Sequence, residues 1–328
     1  MSDLTDDWLV DKAFAAKTPF GMGAENTFAG ALSLFRRRYS KDLAGADVAV
    51  LGVPYDQAVT NRAGTRFGPR AIRAVSSQIA WKGGPWRWPF DPFELLNVID
   101  TGDLDFDHGR ADLFPETLEA RAAEIIATGA RLLSLGGDHF ATYPLLKAHA
   151  ARHGPLALVQ FDAHSDTWTD DREPDQPRRI DHGTMFYHAV KDGIIDASRS
   201  VQVGIRTGND DPLGIETLDA DWVLDHKPGE VAARICEIVG EGPVYLTFDI
   251  DGLDPAFAPG TGTPVCGGMS TNQAERILCG LTGLDLVGMD VVEVSPAYDV
   301  GDVTALAGAT LALNMICLWA DRKSRGLF

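Results

Sequence analysis

Eight short apolar runs punctuate this chain, and each gives way to a Gly- or Asp-rich turn and then a longer helical stretch. They are VAVLGV (48–53), LNVID (96–100), RLLSLGG (131–137), LALVQFD (156–162), VQVGI (201–205), WVL (222–224), VYLTFDID (244–251) and LVGMDVVEV (286–294). A strand that is apolar on consecutive residues has no face to offer to water, so it must be covered on both sides. Residues 116–127 show what covers it: Leu118, Ala122, Ile125 and Ile126 fall on one helical face. Strand and helix in alternation predict an α/β fold with a largely parallel sheet and helices on both sides. No linker or low-complexity stretch interrupts residues 46–328, which read as one domain. Residues 1–45, with Arg36, Arg37 and Arg38, read as an arm that packs on the body or on a neighbouring subunit.

Charge narrows the partners. Acidic residues outnumber basic ones 47 to 29, for a formal net charge of −18. A nucleic-acid partner needs a basic face, and this balance argues against one. A negative field instead gathers small cations. The four cysteines, Cys236, Cys266, Cys279 and Cys317, contain no CxxC pair, so they form neither a zinc knuckle nor a disulfide framework. The opening MSDLTDDWLV lacks the basic-then-apolar order of a signal peptide, and the apolar stretch 304–320 contains Asn314 and reads as a buried helix. A cytoplasmic protein with no membrane partner is expected.

Four of the apolar runs end in acidic or imidazole residues. GGDHF places His139 just past one strand end, and DAHSD places Asp162, His164 and Asp166 at i, i+2 and i+4. DID places Asp249 and Asp251 at i and i+2, and the last run delivers Glu293. In a parallel sheet the carboxyl ends of strands open onto one rim, where ligands bind. In extended backbone the i, i+2 spacing puts side chains on one face. A lone Asp at a strand end is usually a cap or turn residue, and a lone His is usually a satisfied core or surface group. Six such residues in three spaced motifs reverse that presumption. Four aspartates and two imidazoles brought together repel one another and are poorly solvated. Two divalent cations balance four carboxylates, and a hydroxide between them leaves about one net negative charge, suited to a monocation such as guanidinium. The donor set favours hard ions, with manganese ahead of nickel, cobalt or zinc.

These motifs carry a family resemblance. GGDHF (136–140), FDAHSD (161–166) and TFDIDGLDPAFAPGTGTP (247–264) resemble the three signatures of the ureohydrolase family of arginases and agmatinases. DHGTMFY (181–187) and GMDVVEVSPAYD (288–299) are similar to its agmatinase branch. The resemblance runs from about residue 53 to the final helix. It implies an arginase-like three-layer α/β/α sandwich around an eight-stranded, mostly parallel sheet, assembled as a homo-oligomer (a trimer or hexamer). It also implies two manganese ions: His139 and Asp166 on one, His164 and Asp251 on the other, Asp162 and Asp249 bridging. A hydroxide held between the ions attacks the guanidinium carbon, and Asp166 orients it and takes its proton. Glu293 pairs with the guanidinium, and His182 passes a proton to the leaving amine. The implied reaction is hydrolysis of a small cationic guanidino substrate, agmatine first, to putrescine and urea within polyamine biosynthesis.

The segment 167–181 is a few residues longer than in the agmatinases it resembles. Its acids (Asp170, Asp171, Glu173, Asp175, Asp181) suit a distal ammonium, and its arginines (Arg172, Arg178, Arg179) suit a distal carboxylate, as in 4-guanidinobutyrate or 3-guanidinopropionate. A solvated loop with self-paired charges is the third alternative. Two rivals differ in class: a single-zinc deacetylase of the same fold, and an inactive homologue kept as a binding subunit. The complete ligand set argues against both, and no GxGxxG follows a strand to suggest a dinucleotide enzyme.

Overall fold

The computed structural model describes residues 27–80, 84–169, 172, 176–209 and 211–328. Nine strands run through them: β1 (Arg38–Tyr39), β2 (Val48–Val53), β3 (Val98–Asp103), β4 (Arg131–Gly136), β5 (Ala157–Phe161), β6 (Val201–Ile205), β7 (Glu216–Asp219), β8 (Pro243–Asp249) and β9 (Asp285–Val292). They form one sheet in the order β1-β3-β2-β4-β9-β8-β5-β6-β7, and every pairing is parallel.

Side-chain alternation divides the interior in two. Ala157, Val159 and Phe161 of β5 enter one core, and Leu158 enters the other. The first core is closed by α1 (Gly68–Ser76), the short α2 (Pro92–Leu95), α7 (Pro228–Val239), α8 (Thr271–Cys279) and α9 (Val303–Ser324). The second is closed by α3 (Phe114–Ala127), α4 (Thr142–His153) and α5 (Met185–Lys191). The result is the three-layer α/β/α sandwich, with the apolar runs of β2, β5 and β6 buried at every residue. Helix α9 is longer than its apolar stretch suggested, at 22 residues, and lies mostly inside the protein as a core helix.

Two details differ from expectation. The sheet has nine strands rather than eight, and Trp222–Leu224 is not one of them. Those residues belong to a short helix, α6 (Ala220–Asp225), because the Asp219 carboxylate accepts from the Trp222 N–H and caps it. The strand lies just before, in β7, where Leu218 alone is buried, as suits an edge. The added strand is β1, from the segment read as an arm. Leu34 and Phe35 are fully buried there, and Arg38 and Tyr39 pair with Ile99 and Asp100. Residues 1–26 of that arm lie outside the described residues.

Candidate metal centre

Four adjacent central strands, β4, β9, β8 and β5, end on the same rim. His139 follows β4, Glu293 follows β9, Asp249 closes β8 with Asp251 just beyond, and Asp162 follows β5. The turn after β4 passes directly under residue 55: a Cβ on Gly137 would sit 1.8 Å from the Tyr55 carbonyl oxygen, so only glycine allows this approach. Asp166 and Glu293 both adopt the left-handed region, at φ 53° and 62°. Such conformations cost non-glycine residues of the order of 1 kcal/mol and cluster at functional sites.

All six ligand candidates converge. His139 Nδ1 lies 3.1 Å from Asp162 Oδ2, 2.9 Å from Asp166 Oδ2 and 3.2 Å from Asp249 Oδ2. His164 Nδ1 lies 3.4 Å from Asp162 Oδ1 and 3.1 Å from Asp251 Oδ2. Asp162 therefore offers one oxygen to each of two groups, His139–Asp162–Asp249 and Asp162–His164–Asp251, whose donor atoms lie within 4.8 Å of one another. The other oxygen of Asp249 accepts the Asp251 backbone N–H at 2.8 Å.

The donor chemistry fits divalent cations. Like charges this close cost about 3–4 kcal/mol per pair at an effective dielectric near 20, and two imidazoles cannot offset four carboxylates. The metal-free cluster consequently holds protons that ions would displace. Burial, Asp251 and Asp162 push Asp249 well above the usual carboxylate range, and burial with Asp162 pushes Asp166 up to about 6. Against burial, Asp162 and Asp251 hold His164 up to about 12. The His139 Nδ1 atom is buried without an aligned hydrogen-bond partner among the described residues, although three carboxylate oxygens surround it. A lone pair aimed at a cation between them accounts for that.

His182 stands beside this cluster. Its Nδ1 is 3.1 Å from Glu293 Oε1, and its Nε2 receives the Thr60 N–H at 2.9 Å with the Thr60 hydroxyl at 2.7 Å. Against burial, Glu293, Asp166 and Asp138 raise the imidazole to about 9. The Thr60 N–H opposes a proton on Nε2, as would two cations nearby, so the neutral ring with its proton on Nδ1 fits the donor pattern. Glu293 Oε1 also accepts the His139 N–H at 2.9 Å, while Oε2 is buried with no partner among the described residues. The cavity above holds about 350 Å³ and is walled by Thr60, His164, Asp166, Trp168, Asp181 and Thr263 among others.

Among the described residues, two arginines of the long rim loop are held by carboxylates. Arg179 donates to Asp181 at 2.8 Å, and Arg178 to Asp192 at 2.9 Å. Asp170, Asp171, Glu173 and Asp175 lie outside the described residues. Sequence reasoning overlooked Thr60, and also Gln160, which donates to Asp162 Oδ2 at 2.8 Å and to the His164 carbonyl at 3.0 Å. Gln160 stands two residues before Asp162 on β5, a period-2 signal that its apolar neighbours masked.

Comparison with known proteins fixes the setting. A family model described as the Arginase family matches residues 46–317. The chain belongs to the arginase family. Among its relatives is an agmatinase of Chromobacterium violaceum, 53% identical over 318 residues that cover 96% of this chain and 97% of that one. An agmatinase of Proteus mirabilis is 54% identical over 87% of this chain and 90% of its own. The crystal structure of a hypothetical agmatinase from Burkholderia thailandensis superposes with a TM-score of 0.90 at 55% identity, covering 96% of this chain and 98% of that one. The proclavaminate amidino hydrolase of Streptomyces clavuligerus superposes at 0.84 with 36% identity, over 90% and 99% of the two chains. This arginase-family chain is a ureohydrolase enzyme.

Proposed function

We propose that this ureohydrolase hydrolyses agmatine to putrescine and urea at a centre of two divalent cations, manganese first among them. Agmatinases more than 50% identical over most of the chain support the substrate. One observation carries the centre: the Asp162 carboxylate divides its two oxygens between His139 and His164. His139, Asp162, Asp166 and Asp249 would hold one ion, and His164 and Asp251 the other, with Asp162 and Asp249 shared.

When bound, two such ions supply a nucleophilic water at neutral pH and neutralise charge that develops during its attack. The chain's own residues do the rest. Asp166, with its carboxylate at the cavity wall, orients the water and accepts its proton. Glu293 offers its unpaired Oε2 to the guanidinium as a charge-assisted acceptor. His182, oriented by Glu293 and Thr60, takes up the proton that Asp166 received from the water and passes it to the departing amine, so the ring begins and ends neutral. The water oxygen joins the guanidinium carbon, the bond to the alkyl nitrogen breaks, and that nitrogen takes the proton. The proposal includes a cytoplasmic homo-oligomer, a trimer or hexamer, which light scattering on the purified protein tests.

The substrate is tested by urea release from agmatine, 4-guanidinobutyrate, 3-guanidinopropionate, arginine and guanidine on manganese-loaded enzyme. Agmatine is expected to lead in kcat/KM by about 100-fold or more, a difference of about 2.7 kcal/mol. Preference for an acid-tailed compound would overturn agmatine and leave ureohydrolase chemistry standing.

A further inference from the structure

A histidine can ligate a metal only through a nitrogen that carries no proton, and something must decide which nitrogen that is. Behind His139, on the side away from the carboxylates, lies a polar network that the reaction itself does not use. Tyr245, Thr247 and Asp249 occupy alternate positions of β8 and so share a face, and Thr247 pairs in register with Asp290 on β9. Thr247 Oγ1 is 2.8 Å from His139 Nε2 and 2.5 Å from Asp290 Oδ1. The other oxygen of Asp290 accepts from the Thr142 and Tyr245 hydroxyls, each at 2.8 Å. All of these side chains are sealed from solvent.

The direction of the bonds follows from proton counting. Asp290 as a carboxylate can only accept, so the single hydroxyl proton of Thr247 points to it. Thr247 must then accept from His139, which keeps an imidazole proton on Nε2, so Nδ1 is the nitrogen left to a metal. Burial pushes the Asp290 carboxyl up, and the nearby His139 together with the three hydroxyls that donate to the anion opposes this.

We infer that Thr247 and Asp290 are positioning residues that lock His139 in the tautomer with Nδ1 free for the metal, and so set the affinity of one of the two ions independently of the other. This rests on the reading of the rim as a two-cation centre. Removing an outer partner of this kind typically costs 10- to 100-fold in metal affinity.

The test uses the full-length protein and manganese alone. Manganese titration followed by electron paramagnetic resonance gives the number of ions and the affinity of each, and thermal unfolding of the metal-free forms checks folding. Thr247→Val keeps the side-chain shape and removes the acceptor. It is expected to weaken one ion by about 10- to 100-fold and leave the other at parental affinity. Thr247→Ser, which retains the hydroxyl, is expected to restore both. Asp290→Asn offers a donor where the carboxylate accepted, which turns the relay around, and is expected to behave as Thr247→Val does. If Thr247→Val holds two ions at parental affinity, or loses both alike with no rescue by serine, the relay is wrong while the two-cation centre stands. If the parent protein itself does not take up two ions, the reading of the centre fails and the relay with it.

Discussion

His182 Nδ1 stands 3.1 Å from Glu293 Oε1, and the second oxygen of the same carboxylate is buried with no partner among the described residues. In the proposed reaction one oxygen orients the His182 imidazole and the other accepts from the guanidinium. Replacing Glu293 with Gln keeps the shape and removes the charge. Losing a charge-assisted hydrogen bond is worth about 1.5–3 kcal/mol, so kcat/KM should fall by about 10- to 100-fold with metal content unchanged. Parental kcat/KM in Glu293→Gln would remove this residue from guanidinium binding.

Asp162 gives a harsher outcome. Its oxygens lie 3.1 Å from His139 and 3.4 Å from His164, so Asp162→Asn weakens both groups together. Turnover should fall to background, and metal retained after dialysis should drop to one ion per chain or fewer. An Asp162→Asn enzyme that keeps full metal and turnover would refute its shared position.

The metal-free protein should respond to pH in a way the loaded protein does not. Asp166 is raised from 3.8 to about 6, and His164 from 6.5 to about 12. Both pKa values are higher in the folded state, so the native form holds the extra proton, and stability falls as pH rises. Asp166 loses its share between about pH 4 and 6, and His164 from about pH 6.5 upward. Each group accounts for at most about 1.4 kcal/mol per pH unit. Between pH 6 and 9 the chelated protein should therefore melt at progressively lower temperature, while manganese flattens the profile. Parallel Tm profiles with and without metal would show that these groups are not stabilised by the ion.

Gly137 tests the turn that carries His139. A methyl group there would collide with the Tyr55 carbonyl, and overpacking of this kind costs about 1–3 kcal/mol or more. Gly137→Ala should lower Tm by several degrees. An unchanged Tm would mean that the approach of the two segments is not essential.

Much of this molecule can be read from the sequence because its strands are buried on both faces and announce themselves as apolar runs. The ligand set is legible for a related reason: i, i+2 spacing at a strand end fixes which side chains share a face, whatever the tertiary details. The edges are harder. Glu216–Asp219 buries only Leu218, so no apolar pattern marks it, and the apolar Trp222–Leu224 is helical because a cap at Asp219 overrides its composition. Thr60, Thr247 and Asp290 escape because their residue types are commonplace. Only register and turn geometry bring them to His182 and His139.

The most direct test counts ions. The chain is loaded with manganese, passed through gel filtration, and its metal and protein are quantified together. Two manganese ions per chain are predicted, lost in parallel with urea-forming activity on chelation and regained with it. A parent protein that retains one ion or none while releasing urea at full rate would contradict a centre built around Asp162.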